Sequence, residues 1–330
     1  LINTKMSKKL IIEGLNRVHL LNEVVRDKCG THYTSQYLFE EGEDFDPFGH
    51  VDTDGGAVIT DPVDEEKDCV LGFSNGNAKL EWPYFSLPAG YTCPFATVCK
   101  NFAAKPGTKF SDGKSIKKGK EAEFLCYAAR QQAQYKGAAN KAFKNLDLMM
   151  DAKKAGGAEG MATLILKSLK FHGLENSKVF RIHEAGDFFD VEYFKAWMMV
   201  ASKLPSTRFY AYTTSIQFWI GAKGSVPKNM KLIASMDKNN AKFIVDNGLR
   251  YALVVYSPEQ AKELGLRIDV DDTLAWSTDE NFALIIHGGQ HAGSDAAKAL
   301  KDNKASGLYD KMKVLHKKNR NVRQKKISDL

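Results

Sequence analysis

"FSLPAGYTCPFATVC", residues 85–99, places a short apolar run directly before a glycine and two cysteines, Cys93 and Cys99. Apolar residues closed off by Pro88 and Gly90 read as the end of a buried strand, and both thiols then fall in the loop that leaves it. A third thiol, Cys126, opens a helical stretch, "EFLCYAARQQAQYK" (123–136). Between the second and third thiols, residues 100–125 are rich in Gly, Lys and Ser and read as a mobile insertion. With that insertion set aside, the three thiols are close neighbours at the end of one strand.

The same pattern recurs downstream. β-rich runs stand at 80–90 (LEWPYFSLPAG), 177–189 (SKVFRIHEAGDFF), 207–215 (TRFYAYTTS), 230–236 (MKLIASM), 250–257 (RYALVVYS) and 281–289 (NFALIIHGG). Helical stretches separate them, at 121–136 with 139–154, 191–203, 216–222, 238–247, 258–264 and 294–303. Strands spaced by helices define an α/β protein built on a parallel sheet. Six βα units are too few for a closed eight-stranded barrel; they suit a partial (β/α)6 barrel or a doubly wound sheet. Either architecture puts chemistry at the C-terminal ends of the strands.

Three segments follow. Residues 1–78 form an extension, with helical spacing over 8–26 and then an acidic Gly- and Asp-rich stretch. Asp52, Asp54 and Gly55 lie there, but the stretch lacks the full ligand pattern of a calcium loop and reads as a solvated loop or small hairpin. Residues 79–305 carry the repeating units. Residues 306–330 are a basic tail, read either as solvated or as a nucleic-acid contact. The first residues lack the pattern of a signal peptide, Met6 is a candidate start, and no apolar run is long enough for a membrane helix, so a reducing cytoplasm is the expected setting.

An odd count of five cysteines in such a chain argues for metal or redox chemistry over a disulfide framework. Cys29 and Cys69 lie outside the repeating units and read as packed free thiols. For Cys93, Cys99 and Cys126 three readings stand: buried thiols without metal, zinc, or an iron–sulfur cluster. Zinc needs a fourth ligand, for which His183, His287 and His291 are candidates. A 4Fe-4S cluster held by three cysteines leaves one iron to which a small molecule can chelate. His183, Glu184, Gly186 and Asp187, at the end of the second run, are the candidate ligand-binding group beside it. Asp190 and Asp187 also have the position of helix caps for 191–203. Tyr210 and Tyr212 alternate with Phe209 and Ala211 and so face opposite sides of their strand. The "IIHGGQHAGS" turn (285–294) has backbone amides that suit an anion, and Ser294 has the position of a helix cap.

Four motifs carry a resemblance: SLPAG.TCP.A..C, CYA, RIH..GDFF....F..W and FYAYT.S, spread over roughly residues 80–290. Together they resemble the gene-product-88 type of phage protein, an uncharacterised family. More loosely, a thiol-bearing loop after the first of six βα units resembles the radical S-adenosylmethionine (SAM) superfamily and its partial barrel. That superfamily's thiols follow CxxxCxxC; here the intervals are five and twenty-six residues. The resemblance implies a 4Fe-4S cluster on Cys93, Cys99 and Cys126. It also implies SAM as the chelating ligand, with Glu184, Gly186 and Asp187 near its amino group, and modification of a nucleotide or nucleic acid. The alternatives are a non-catalytic iron–sulfur or electron-transfer protein, and a zinc-bound or metal-free nucleic-acid-binding protein.

Overall fold

The computed structural model describes residues 25–26, 32–33, 69–77 and 80–329. The expected helix over 8–26 and the acidic loop lie outside the described residues. Two short antiparallel strands, β1 (Val25–Arg26) and β2 (His32–Tyr33), are what is described of the extension before residue 69.

The runs of apolar and β-branched residues become a parallel sheet. Its strands are β3 (Tyr84–Ser86), β6 (Val179–Ala185), β7 (Arg208–Thr213), β8 (Met230–Met236), β9 (Tyr251–Val255), β10 (Arg267–Ile268) and β11 (Phe282–Ile285). The order is β10-β11-β9-β8-β7-β6-β3, and every pairing is parallel. The expected α/β chain on a parallel sheet is present, with seven strands rather than six and β3 and β10 at its edges. The extra strand is β10, two residues long and too short to show a periodicity. It puts β11 between β9 and itself.

The helices α1 (Tyr127–Gln134), α2 (Lys136–Phe171), α3 (Val191–Lys203), α4 (Ile216–Gly221), α5 (Ala241–Asp246) and α6 (Pro258–Glu263) overlap expected stretches, as does α8 (Asp295–Ala305), whereas α7 (Thr273–Ser277) was not expected and α9 (Leu308–Ser328) is the segment read as a tail. α2 runs well past 154 and breaks its helical geometry at Gly156 and Gly157. Asp190 caps α3, its carboxylate accepting the Tyr193 amide at 2.7 Å. Ser294 caps α8 in the same way.

The sheet's two faces are separated by side-chain alternation. Phe180, Ile182, Phe209, Ala211 and Leu232 pack on α2 and α3. Val179, Tyr210, Ile233 and Ala252 face the other way, onto Trp82, Leu274 and Trp276, with Tyr212 beside them. Leu71 and Phe73, grouped in the sequence with the extension, pack into the first of these cores.

α7 closes the N-terminal end of the sheet. Arg208, Lys231 and Arg250, at or before the starts of three adjacent strands, donate to carbonyls of Trp276, Thr278, and Leu274 and Ala275. These cations satisfy helix-end carbonyls that would otherwise lack partners.

The basic tail is the helix α9. Tyr309 donates to the Ile286 carbonyl at 2.6 Å, beyond the end of β11, and Ile327 packs at the far end beside Trp82 and Trp276. Arg323 is buried, its side chain 1% exposed, and donates to Asp271 at 2.6 Å and Glu81 at 3.2 Å. Among the described residues no helix is long and apolar enough to cross a membrane.

Arg323→Ala leaves the buried Asp271 carboxylate without its arginine, while Glu81 keeps Arg320, so a loss of about 3–5 kcal/mol is expected in denaturant unfolding. A loss below about 1 kcal/mol would contradict this placement of α9.

Asp269, buried next to Asp272, gives a pH signature. Burial, and then the Asp272 charge, push its carboxyl up to about 7. The unfolded group titrates near 3.9, so between about pH 4 and about pH 7 the folded chain holds a proton that the unfolded chain has lost. The stability Asp269 contributes is therefore complete below that window and falls as pH rises through it. Asp269→Asn mimics the protonated form. Wild type should lose stability relative to this variant from about pH 4 to about pH 7; a constant difference would refute the assignment.

Candidate functional site

Three segments deliver the thiols to the C-terminal mouth of the sheet. After β3 the chain turns tightly: the Thr92 hydroxyl donates to the Pro88 carbonyl at 2.9 Å and the Cys93 amide to the Gly90 carbonyl at 3.3 Å. Thr97, within the same loop, donates to Asp237 at 2.9 Å, just past the end of β8. Buried Asn101 donates to the carbonyls of Cys99 (3.1 Å) and Phe124 (3.0 Å), joining the two ends of the insertion. Cys126 is the residue before α1, and the Leu125 amide donates to Gln290 at 2.8 Å. The turn after β11 is thereby stitched to the third thiol.

Cys93, Cys99 and Cys126 are free thiols, each half-buried. Burial raises all three from their ordinary range, Cys93 and Cys99 strongly, and the thiols also act on one another. Asp187 and Cys126 raise Cys93; Cys126, Cys93, Asp187 and Asp237 raise Cys99. The Ala129 and Ala128 amides, at the start of α1, partly offset the rise at Cys126. These mutual effects require the three sulfurs to lie near one another, as the spacing predicts. They also leave the thiols protonated at neutral pH unless a cation joins them. Cys69, expected as a packed free thiol, is disulfide-bonded and so belongs to no ligand set with them. Cys29 lies outside the described residues.

The four residues singled out at the end of β6 divide by role. Asp187 is buried, and each of its oxygens is taken twice. Oδ1 accepts from the Phe188 amide (2.7 Å) and the Thr213 hydroxyl (2.6 Å). Oδ2 accepts from the Thr214 amide and hydroxyl, both at 2.7 Å. Burial raises this carboxyl, and those four donors oppose the rise. Asp187 therefore ties the end of β6 to the end of β7. Gly186 sits at φ +86°, and a Cβ there would lie 2.6 Å from Thr92 Oγ1 and 2.7 Å from Leu87 Cβ. What approaches its backbone closely is the thiol loop itself.

His183 faces away from the mouth. Its ring packs on Phe188 and its Nε2 lies 3.0 Å from the Tyr193 hydroxyl. Burial, and then Arg181, lower it to about 3, so it is neutral. A break in register between β3 and β6, where Tyr84 pairs with Arg181 but Ser86 with Ala185, accompanies the change of facing along this strand. Glu184 remains toward the thiols. Its carboxylate accepts from Ser86 at 3.2 Å, its charge acts on Cys126 and Tyr127, and its carbonyl accepts from the Tyr127 hydroxyl at 2.5 Å.

One part of the mouth and one ion pair on the sheet escaped the sequence reading. Asp237 directly follows the "MKLIASM" run, and its place at a strand's C-terminal end was the signal for it. The ion pair of Arg181 with Asp272, at 2.6 Å, gave no signal, because its partners are 91 residues apart. The Gly-rich turn after β11, read as suiting an anion, abuts a guanidinium: a Cβ on Gly289 would overlap Arg130. Among the described residues, no group of three or more His, Cys, Asp or Glu is arranged to hold a single metal ion.

The fold and site define an α/β protein with a thiol-lined mouth at the C-terminal end of an open parallel sheet. The profile of the gene product 88 family matches residues 65–308, and the chain belongs to that family. It is 28% identical over 174 residues to the Gene 88 protein of Mycobacterium phage L5, covering 51% of this chain and 64% of that protein. It is 26% identical over 174 residues to the Gene 88 protein of Mycobacterium phage D29, covering 51% of this chain and 63% of that protein. The chain thus spans a little under two thirds of these relatives' length. No solved structure matches it.

Gly186→Ala tests how the mouth is built. A side chain at positive φ costs about 1–3 kcal/mol, and the overlap with Thr92 and Leu87 adds to it. The variant should melt lower and show faster thiol labelling at Cys93. Unchanged labelling would contradict the close approach.

Proposed function

We propose that Cys93, Cys99 and Cys126 hold an iron–sulfur cluster at the mouth of the sheet, with one iron available to a chelating small molecule. The observation that carries this reading is the convergence of three free thiols, each raising or raised by another, at the strand ends. Thiolates at such a site need a cation to hold them deprotonated, and soft sulfur donors select zinc or iron–sulfur species. A cluster binds each thiolate through a different iron. Zinc is the weaker candidate because His183, the nearest histidine in the motif, is turned to Tyr193.

A cluster at this site would supply one-electron chemistry. The chain's own groups would do the rest. The half-buried thiols limit access of water, Asp187 fixes the frame of β6 and β7, and Glu184 offers a carboxylate to an ammonium group on the ligand. SAM is the ligand that the looser likeness to the radical SAM superfamily suggests, and modification of a nucleotide or nucleic acid is the activity it would serve. A second reading, a non-catalytic iron–sulfur protein on the same scaffold, is favoured by one observation. Asp187, assigned with Glu184 to the amino group of SAM, already has four donors and no capacity to spare.

Iron and acid-labile sulfide, measured on anaerobically purified protein, test the centre. Cys93→Ser, Cys99→Ser and Cys126→Ser should each lose most of the iron, while Cys69→Ser keeps it. Equal loss from all four variants, or no iron in wild type, would refute the ligand set. Formation of deoxyadenosine from SAM separates the catalytic from the non-catalytic reading.

A further inference from the structure

The insertion between the second and third thiols is a built element. β4 (Asn101–Ala103) and β5 (Ile116–Lys118) pair antiparallel, Asn101 with Lys118 and Ala103 with Ile116. Residues 100–120 carry seven lysines against one acid, Asp112, for a net charge of +6. Six of them, Lys105, Lys109, Lys114, Lys117, Lys118 and Lys120, are exposed. Lys114 pairs with Asp112 in full solvent, a contact worth little. The other five make no ion pair or side-chain hydrogen bond among the described residues. Holding so many like charges on one hairpin is repulsive until an external polyanion neutralises them.

The hairpin's position gives this charge a purpose. Its stem is rooted between Cys99 and Cys126 through Asn101, and the Gly119 amide closes it onto the Lys100 carbonyl at 2.8 Å. Burial, and then the nearby Lys118 charge, disfavour protonation of His291, in the turn after β11. The stem of the hairpin, with Lys117, Lys118 and Lys120, therefore stands beside the thiol mouth.

α9 is equally basic, with eight cations against one acid over 308–328. Yet Arg320 and Arg323 are paired with Glu81, Arg323 also with Asp271, and Lys313 with Asp310. Its last turns lie beside Trp82 and Trp276, at the opposite end of the sheet from the thiols.

We propose that the 100–120 hairpin is the docking surface for a nucleic-acid strand, whose phosphates it draws across the cysteine mouth. A regular line of phosphates suits lysines spread over two strands and a turn. A lipid surface fits less well. The large apolar residues of the loop, Phe110 and Ile116, are half-buried, so no exposed side chain is available to insert. The inference rests on the proposed centre only for the meaning of the location, since lysine–phosphate contacts need no cluster.

The test is a fluorescence-anisotropy titration of the full chain with a short labelled single-stranded oligonucleotide and its duplex, across a salt series, beside phosphatidylserine vesicles. Each lost single-strand contact lowers the log–log salt slope by about 0.7. A Lys109→Gln, Lys117→Gln, Lys118→Gln variant should bind at least about tenfold more weakly at low salt, with a slope smaller by about 2. Lys317→Gln, Lys318→Gln, Lys325→Gln on α9 should bind like wild type. All the substituted residues are exposed, and equal melting temperatures verify folding. Binding that survives the hairpin substitutions, is lost with the α9 set instead, or occurs with vesicles and not oligonucleotides would overturn the proposal. Iron content measured on the same samples keeps the outcomes apart: binding without iron refutes the centre alone, and iron without binding refutes the hairpin alone.

Discussion

The mouth of the sheet depends on one buried carboxylate. Asp187 has two donors on each oxygen, and these come from the residue after it and from the end of the next strand. A carboxylate buried this deeply is tolerable only when its lone pairs are filled. Once filled, it holds the ends of β6 and β7 in one arrangement. Gly186, immediately before it, then leaves room for Thr92 and so for the turn that carries Cys93. The thiol loop is seated against a fixed floor, which is how residues on a loop obtain the precision a binding centre needs.

Much of the fold was legible because the sheet is buried on both faces. Runs such as "RFYAYT" and "MKLIASM" are short and rich in apolar and aromatic residues, and each is followed by a helical stretch. Asp190, Ser257 and Ser294 cap helices close to where the sequence starts them. What stayed hidden has specific causes. β10 has two residues, below any periodicity. The β4–β5 hairpin is built from Lys, Gly and Ser, whose composition is that of a loop. The closure of the sheet could not be read, because βα units alone do not set its curvature.

The site was legible as a set of thiols and only partly as a set of partners. Cys93, Cys99 and Cys126 come together as their spacing implied. In "RIHEAGD" the sequence could not separate Glu184, which faces the thiols, from His183, which does not, because a break in register alters the simple alternation of the strand. The basic segments show a similar division. Arg323 of α9 is committed to a buried pair with Asp271, whereas the hairpin lysines remain in solvent. Composition alone gave both segments the same sign and no means to tell their uses apart.

The central claim is that three thiolates at this mouth hold a cluster with one iron unlike the others. Mössbauer spectroscopy of anaerobically iron-loaded protein reads this directly. The account predicts a cluster spectrum in which about a quarter of the iron is distinct and shifts when a chelating small molecule is added. A spectrum of isolated mononuclear iron, or the same spectrum after Cys126→Ser, would contradict it.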